Sequence, residues 1–215
     1  MFGGWVFGYN NDWKKPNSKY YKAKARLNDI LKYKFRLMCL SLNRYKSDNT
    51  LLINGWKMFR MWSQYGENHF GVCLVFSKKK LLEFIEKASI EYYVADKVIY
   101  SKEETYLDNA LSLSISQINN SDLDTFCLRH IKSHIDKFFF TKHLDYRDEA
   151  EYRVVIYDNN NDYKYFDLST FIKCVIIGER MPKVYYPLIK NLCDKTNTEC
   201  RRVEYSNGKL SLLNL

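Results

Sequence analysis

Two carboxylates one residue apart, Glu149 and Glu151, lead into the run Tyr152-Arg153-Val154-Val155-Ile156-Tyr157. On a strand of period two they share a face with Arg153, while Ala150, Tyr152, Val154 and Ile156 make an apolar face on the other side. Strand rise sets the two carboxylates about 7 Å apart. At that spacing one can hold a sugar hydroxyl and steady positive charge developing on an anomeric carbon, while the other orients an acceptor. The same pattern also fits a half-exposed strand on which Glu151 and Arg153 merely pair at the surface.

A second constellation surrounds Met61-Trp62-Ser63-Gln64-Tyr65-Gly66-Glu67-Asn68-His69. It reads as the end of a helix, a Gly66 stop, a polar loop and then the apolar strand Phe70–Phe76. Trp62, Tyr65 and His69 can form an aromatic shelf for a nicotinamide or adenine ring, with His69 or Gln64 offering a hydrogen bond. Helical spacing equally allows Met58, Met61, Trp62 and Tyr65 to be core residues. Ser41, at the end of the strand Phe35–Leu42, can floor such a site or act as a turn residue.

His130 and His134 stand four apart on one helical face, a spacing that can bind a metal. No Glu follows His130 and both lie in a Phe/Ile/Leu stripe, so they read as core histidines and no metal is expected. There is no Gly-x-Ser-x-Gly elbow, phosphate loop or dinucleotide glycine fingerprint.

The elements that must position these residues follow from periodicity. Ser18 caps a basic helix over 19–33 with Tyr20, Ala23, Leu27, Ile30 and Leu31 inward. Helices are predicted over 55–65, 78–88, from 101 to about 119, over 121–139 and after Pro182 to about Asp194. Strands are predicted over 2–8, 35–42, 70–76, 92–100, 150–157, 163–168, 171–177, 200–205 and 209–213. The result is an α+β fold, a single domain over 1–215 with a mostly antiparallel sheet and helices concentrated in the N-terminal and middle parts.

The formal charge of +9 is uneven: residues 1–36 hold nine Lys or Arg against two Asp, so this basic N-terminal segment carries +7 and the remainder +2. Such a helix can meet phosphate, on nucleic acid or a dinucleotide, or serve as a solvated Lys-rich face. The six Cys form no Cys-x-x-Cys pair and read as small hydrophobes of a reducing compartment. Met1–Tyr9 is too short for a membrane span and lacks a basic lead, so a cytoplasmic protein without a membrane partner is expected.

Cys39-Leu40-Ser41, Met61 to Gly66 with His69-Phe70-Gly71-Val72, Lys142 ahead of Glu149-Ala150-Glu151-Tyr152-Arg153, and Ile176-Ile177-Gly178 together resemble one family. It is the bacterial and phage domain of unknown function 2971 family, met among phage-defence and abortive-infection genes. The resemblance spans about residues 35–195. Against it, an upstream strand looks missing, because only Asn11-Asp12-Trp13 and Lys14-Lys15-Pro16 stand near the start.

Separately, the Glu-x-Glu strand resembles the way ADP-ribosyltransferases place their catalytic glutamate. That likeness implies a toxin or phage-defence effector that acts on NAD and a protein or nucleic-acid acceptor, with an antitoxin-like partner possible. Glu151 would grip the nicotinamide ribose and Glu149 would orient the acceptor. Trp62, Tyr65, His69, Ser41 and Arg60 would line the NAD cleft, with Arg36 or Arg60 standing in for the Arg or His that such enzymes carry on an early strand. Two alternatives stay open: a non-catalytic module contacting nucleic acid or an acidic partner through the basic helix, and a metal-dependent nuclease built on Asp145, Glu149, Glu151 and Lys142.

Overall fold

A computed structural model of the chain describes residues 18–88, 90–102, 108–119, 122–159 and 165–215. The first elements are α1 (Lys19–Tyr33), β1 (Phe35–Ser41), β2 (Arg44–Tyr45), β3 (Leu51–Ile53), α2 (Phe59–Tyr65), β4 (Val72–Phe76) and α3 (Lys78–Lys87). The middle of the chain forms β5 (Tyr92–Lys97), β6 (Ile99–Ser101), α4 (Asp108–Leu111), α5 (Ile115–Asn119), α6 (Leu123–Ser133), α7 (Ile135–Phe139) and β7 (Thr141–His143). The last third forms β8 (Glu151–Tyr157), β9 (Ile172–Ile177), α8 (Tyr186–Lys195), β10 (Glu199–Ser206) and β11 (Lys209–Asn214). The class is α+β with mostly antiparallel pairing. The chain divides into two compact units.

The first unit takes residues up to 40, 91–147 and 151–162. Its sheet has the order β1-β8-β5, and β5 runs antiparallel to β8 from Tyr92 opposite Tyr157 to Lys97 opposite Tyr152. Burial of β8 along almost its whole length follows from its central place, since both faces are covered. Helix α1 starts where expected: the Ser18 hydroxyl accepts from Tyr21 N, satisfying one of the free amides of the first turn. It buries Ala23, Leu27 and Ile30 in a core shared with Phe126, Cys127 and Ile131 of α6. Truncating Leu27 to Ala there removes about 2–5 kcal/mol. Arg26 grips Asp124 through two bonds of 2.6 Å, tying α1 to the first turn of α6.

The second unit takes residues 41–90, 148–150 and 163–215. Its sheet has the order β11-β10-β9-β4. β9 and β10 pair in parallel, so the chain needs a crossover between them, and α8 supplies it. β10 and β11 form a hairpin through Asn207 and Gly208, both at positive φ (49° and 74°), the requirement of a two-residue turn that matches strand twist. Trp62, Cys174, Ile176, Val203 and Leu210 form one core cluster. Phe171 packs between Phe76 and Phe84 at ring separations of 5.5 and 5.4 Å.

Several boundaries differ from the sequence reading. The helix over 55–65 is a 3-10 turn, Gly55–Lys57, followed by α2 after Met58. β6 runs through Ser101, so no helix opens there, and the described helical residues further on are split by Ser112–Ser114. The helix over 121–139 is broken at His134, whose φ of −122° and ψ of 28° are not helical. Residues 165–168 hold no strand. The strand expected over 2–8 lies outside the described residues.

Candidate functional site

The carboxylate pair is not carried on one regular strand. Glu149 closes a 3-10 turn, Leu144–Glu149, and Ala150 has φ +47°, a left-handed conformation that costs a residue with a Cβ. β8 starts only at Glu151. Alternation therefore cannot place Glu149 beside Glu151, and the two fall in different units.

The polar face expected on β8 is also a core face. Val155 and Tyr157, which share the parity of Glu151 and Arg153, lie in the helical core of the first unit. Glu151 is only 8% exposed. Arg153 Nη2 donates to its Oε2 at 2.8 Å and Lys142 Nζ stands 3.6 Å away. Arg153 Nη1 donates to Phe139 O, and Glu151 N donates to the Tyr100 hydroxyl at 2.9 Å. One anion held by two cations is the arrangement that allows a carboxylate to be buried. Cys39 of β1 belongs to the same cluster. Desolvation pushes its thiol up, the Arg153 charge opposes this and the Glu151 carboxylate adds to it, so it is a protonated thiol at neutral pH.

In the second unit the structure brings together Tyr65 and Glu149. Tyr65 ends α2 and is 64% exposed, while Glu149 is 1% exposed. The Tyr65 hydroxyl donates to Glu149 Oε1 at 3.2 Å, across 84 positions of sequence. Next to Glu149, Asp148 accepts from Arg44 Nη2 at 3.3 Å, and Ala150 O accepts from Leu42 N at 2.9 Å. These contacts hold the segment 148–150 against Leu42 and Arg44, just after Ser41 in the chain.

Trp62 is a core residue: it is 3% exposed and its Nε1 donates to Trp56 O at 2.6 Å. Its ring stacks with His69 at 5.9 Å and 12°, so one aromatic face is already taken. Phe59 flanks His69 at 5.6 Å. Glu67, Asn68 and His69 all have positive φ (48°, 52° and 71°), a left-handed run that turns the chain back after Gly66. The turn is pinned by Arg180 N donating to His69 O and Gly178 N donating to Gly71 O. A Cβ at Gly178 would stand 2.2 Å from His69 O, so only glycine allows that approach. His69 Nδ1 is buried and has no hydrogen-bond partner among the described residues. Arg60 donates to Gln64 Oε1 at 3.1 Å, one turn further along α2.

Of the residues singled out in the sequence, Ser41, Arg60, Trp62, Tyr65, His69 and Glu149 lie in the second unit and Glu151 in the first. Tyr100 was missed as a partner of Glu151. The bond spans 51 positions, and no local pattern signals it. His130 and His134 lie on the far part of α6 and at its end. Burial lowers His130 below the ordinary imidazole range, and its Nε2 contacts Ala110 O at 2.8 Å. Among the described residues no group of three or more His, Cys, Asp or Glu is placed to hold a metal ion.

Residues 61–154 match the model of a family described as "Protein of unknown function (DUF2971)". Over that stretch the chain is similar to this family. The match contains Tyr65, Glu149 and Glu151, leaves Ser41 and Arg60 outside, and is shorter than the 35–195 expected from the motifs. No curated protein and no solved structure matches the chain. No described helix is long and apolar enough to cross a membrane.

Proposed function

We propose that the protein is an ADP-ribosyltransferase-like enzyme that acts on NAD and a macromolecular acceptor, a protein or nucleic acid, as a toxin or phage-defence effector. The observation that carries this reading is the Tyr65–Glu149 pair. A buried carboxylate that accepts from a hydroxyl is chemically suited to take a ribose hydroxyl in its place. In the transfer, the bond from the anomeric carbon to nicotinamide breaks, nicotinamide leaves with the electron pair, and positive charge develops on the sugar. A nearby carboxylate stabilises that charge, and the acceptor nucleophile then attacks the same carbon and gives up its proton.

This assignment moves the principal role from Glu151 to Glu149. Glu151 is neutralised by Arg153 and Lys142, which suits it to hold the start of β8. Labelled NAD incubated with cell lysate tests the reading. The wild type transfers label and Glu149→Gln, folded by circular dichroism, does not. Transfer by Glu149→Gln at the wild-type rate, or no turnover and no NAD-induced thermal shift in the wild type, would end it.

A second reading, a non-catalytic nucleic-acid module, is favoured by the outer face of α1. Lys19, Lys22 and Lys32 are exposed there together with Tyr21 and Tyr33. Cations interleaved with aromatic rings suit phosphates and stacked bases. Replacing Lys19, Lys22 and Lys32 by Gln weakens nucleic-acid retention at low salt under this reading. Unchanged retention removes it.

A further inference from the structure

We propose that His130 and His134 form a two-imidazole site for a divalent transition-metal ion in a cavity of the first unit. The cavity measures about 420 Å3 and is lined by Ser116, Gln117, Phe126 and Arg129 as well as the two histidines. It is far larger than the roughly 30 Å3 of one water. A hydrated ion fits, with room for a further ligand.

Hydrogen bonding fixes which ring nitrogens are available. A carbonyl oxygen only accepts, so His130 Nε2, 2.8 Å from Ala110 O, carries its proton. The end of α6 does the same for His134. There His134 N bonds to Ile131 O, three residues back, and leaves the His130 carbonyl to side chains. Ser133 Oγ donates to that carbonyl at 2.9 Å and His134 Nδ1 stands 3.0 Å from it. Ser133 Oγ also stands 3.0 Å from His134 Nδ1; with its own proton on the His130 carbonyl it accepts there, so His134 Nδ1 is the protonated nitrogen. In the neutral rings this leaves lone pairs on His130 Nδ1 and His134 Nε2. A ring oriented by donating its other N–H to a backbone carbonyl is the usual state of a metal-ligating histidine.

The ring separation agrees. Each ligating nitrogen lies about 2.0–2.1 Å from the ion, so two imidazoles at the right angle of a square-planar or tetragonal ion such as Ni2+ or Cu2+ have centroids about 4.5 Å apart. The His130 and His134 centroids are 4.4 Å apart. Two ligands leave coordination positions for water or an anion.

Equilibrium dialysis of the metal-free full chain against Ni2+ tests the site, since imidazole suits Ni2+. The expected result is one ion per chain in the wild type, with affinity reduced about tenfold or more in His134→Gln. His143→Gln should bind like the wild type, because His143 pairs with Asp145 elsewhere. Thermal melting checks that each variant is folded. No stoichiometric binding, binding retained in folded His134→Gln, or loss in His143→Gln would overturn the proposal.

Discussion

The hydroxyl of Tyr65 lies 3.2 Å from Oε1 of Glu149, so a largely exposed ring at the end of α2 caps a carboxylate that is 1% exposed. The bond couples the end of α2 to Glu149, the first carboxylate of the Glu-x-Glu motif, within the second unit. A hydrogen bond to a charged group contributes about 1.5–3 kcal/mol. Tyr65→Phe keeps the ring and removes this bond. Urea denaturation should show a loss toward the lower end of that range, because Glu149 has further interactions. An unchanged midpoint would mean that Tyr65 does not stabilise the carboxylate.

Glu151 makes the opposite prediction about chemistry and a stronger one about folding. Replacing it with Ala leaves Arg153 and Lys142 half-buried without their anion, and breaking a buried pair costs about 3–5 kcal/mol. Glu151→Gln keeps an acceptor for Arg153 and should cost less. Equal and small losses for both variants, below about 1 kcal/mol in chemical denaturation, would show that the cluster is not structural.

The Arg26–Asp124 bridge gives a pH dependence of known sign. The bond to Arg26 is the largest effect holding the Asp124 carboxyl below its ordinary value of 3.8. A carboxylate depressed in the folded state contributes stability that is present above its unfolded value and is lost as pH falls through the folded one. Asp124→Asn should therefore lower stability at pH 7 by about 0.5–1 kcal/mol, the pair being solvent-screened, and flatten the acid limb below pH 3.8. Parallel acid titrations of both proteins would contradict this.

Much of the fold was legible because long periodic runs decide their own structure. Ser18 with Ala23, Leu27 and Ile30 specified α1, and the apolar stretches specified β4, β8 and β9. The misread points are local breaks. At His134 side chains capture a helix-end carbonyl, and at Ala150 a residue that disfavours positive φ adopts it because surrounding contacts impose it. That second break ends the strand alternation that had put both carboxylates on one face. Trp62 could not be resolved from its spacing, since helical periodicity fits a buried ring and an open shelf equally. Tyr65 with Glu149, and Glu151 with Tyr100, depend on tertiary pairing that no short window contains.

Nicotinamide release from NAD by the purified wild type, Glu149→Gln and Glu151→Gln, all checked for folding, bears most directly on the proposed site. Release by the wild type, a loss of at least about 100-fold in Glu149→Gln, and a smaller loss in Glu151→Gln is the predicted pattern. Release that survives in Glu149→Gln and vanishes in a folded Glu151→Gln would return the catalytic role to Glu151 and contradict the account.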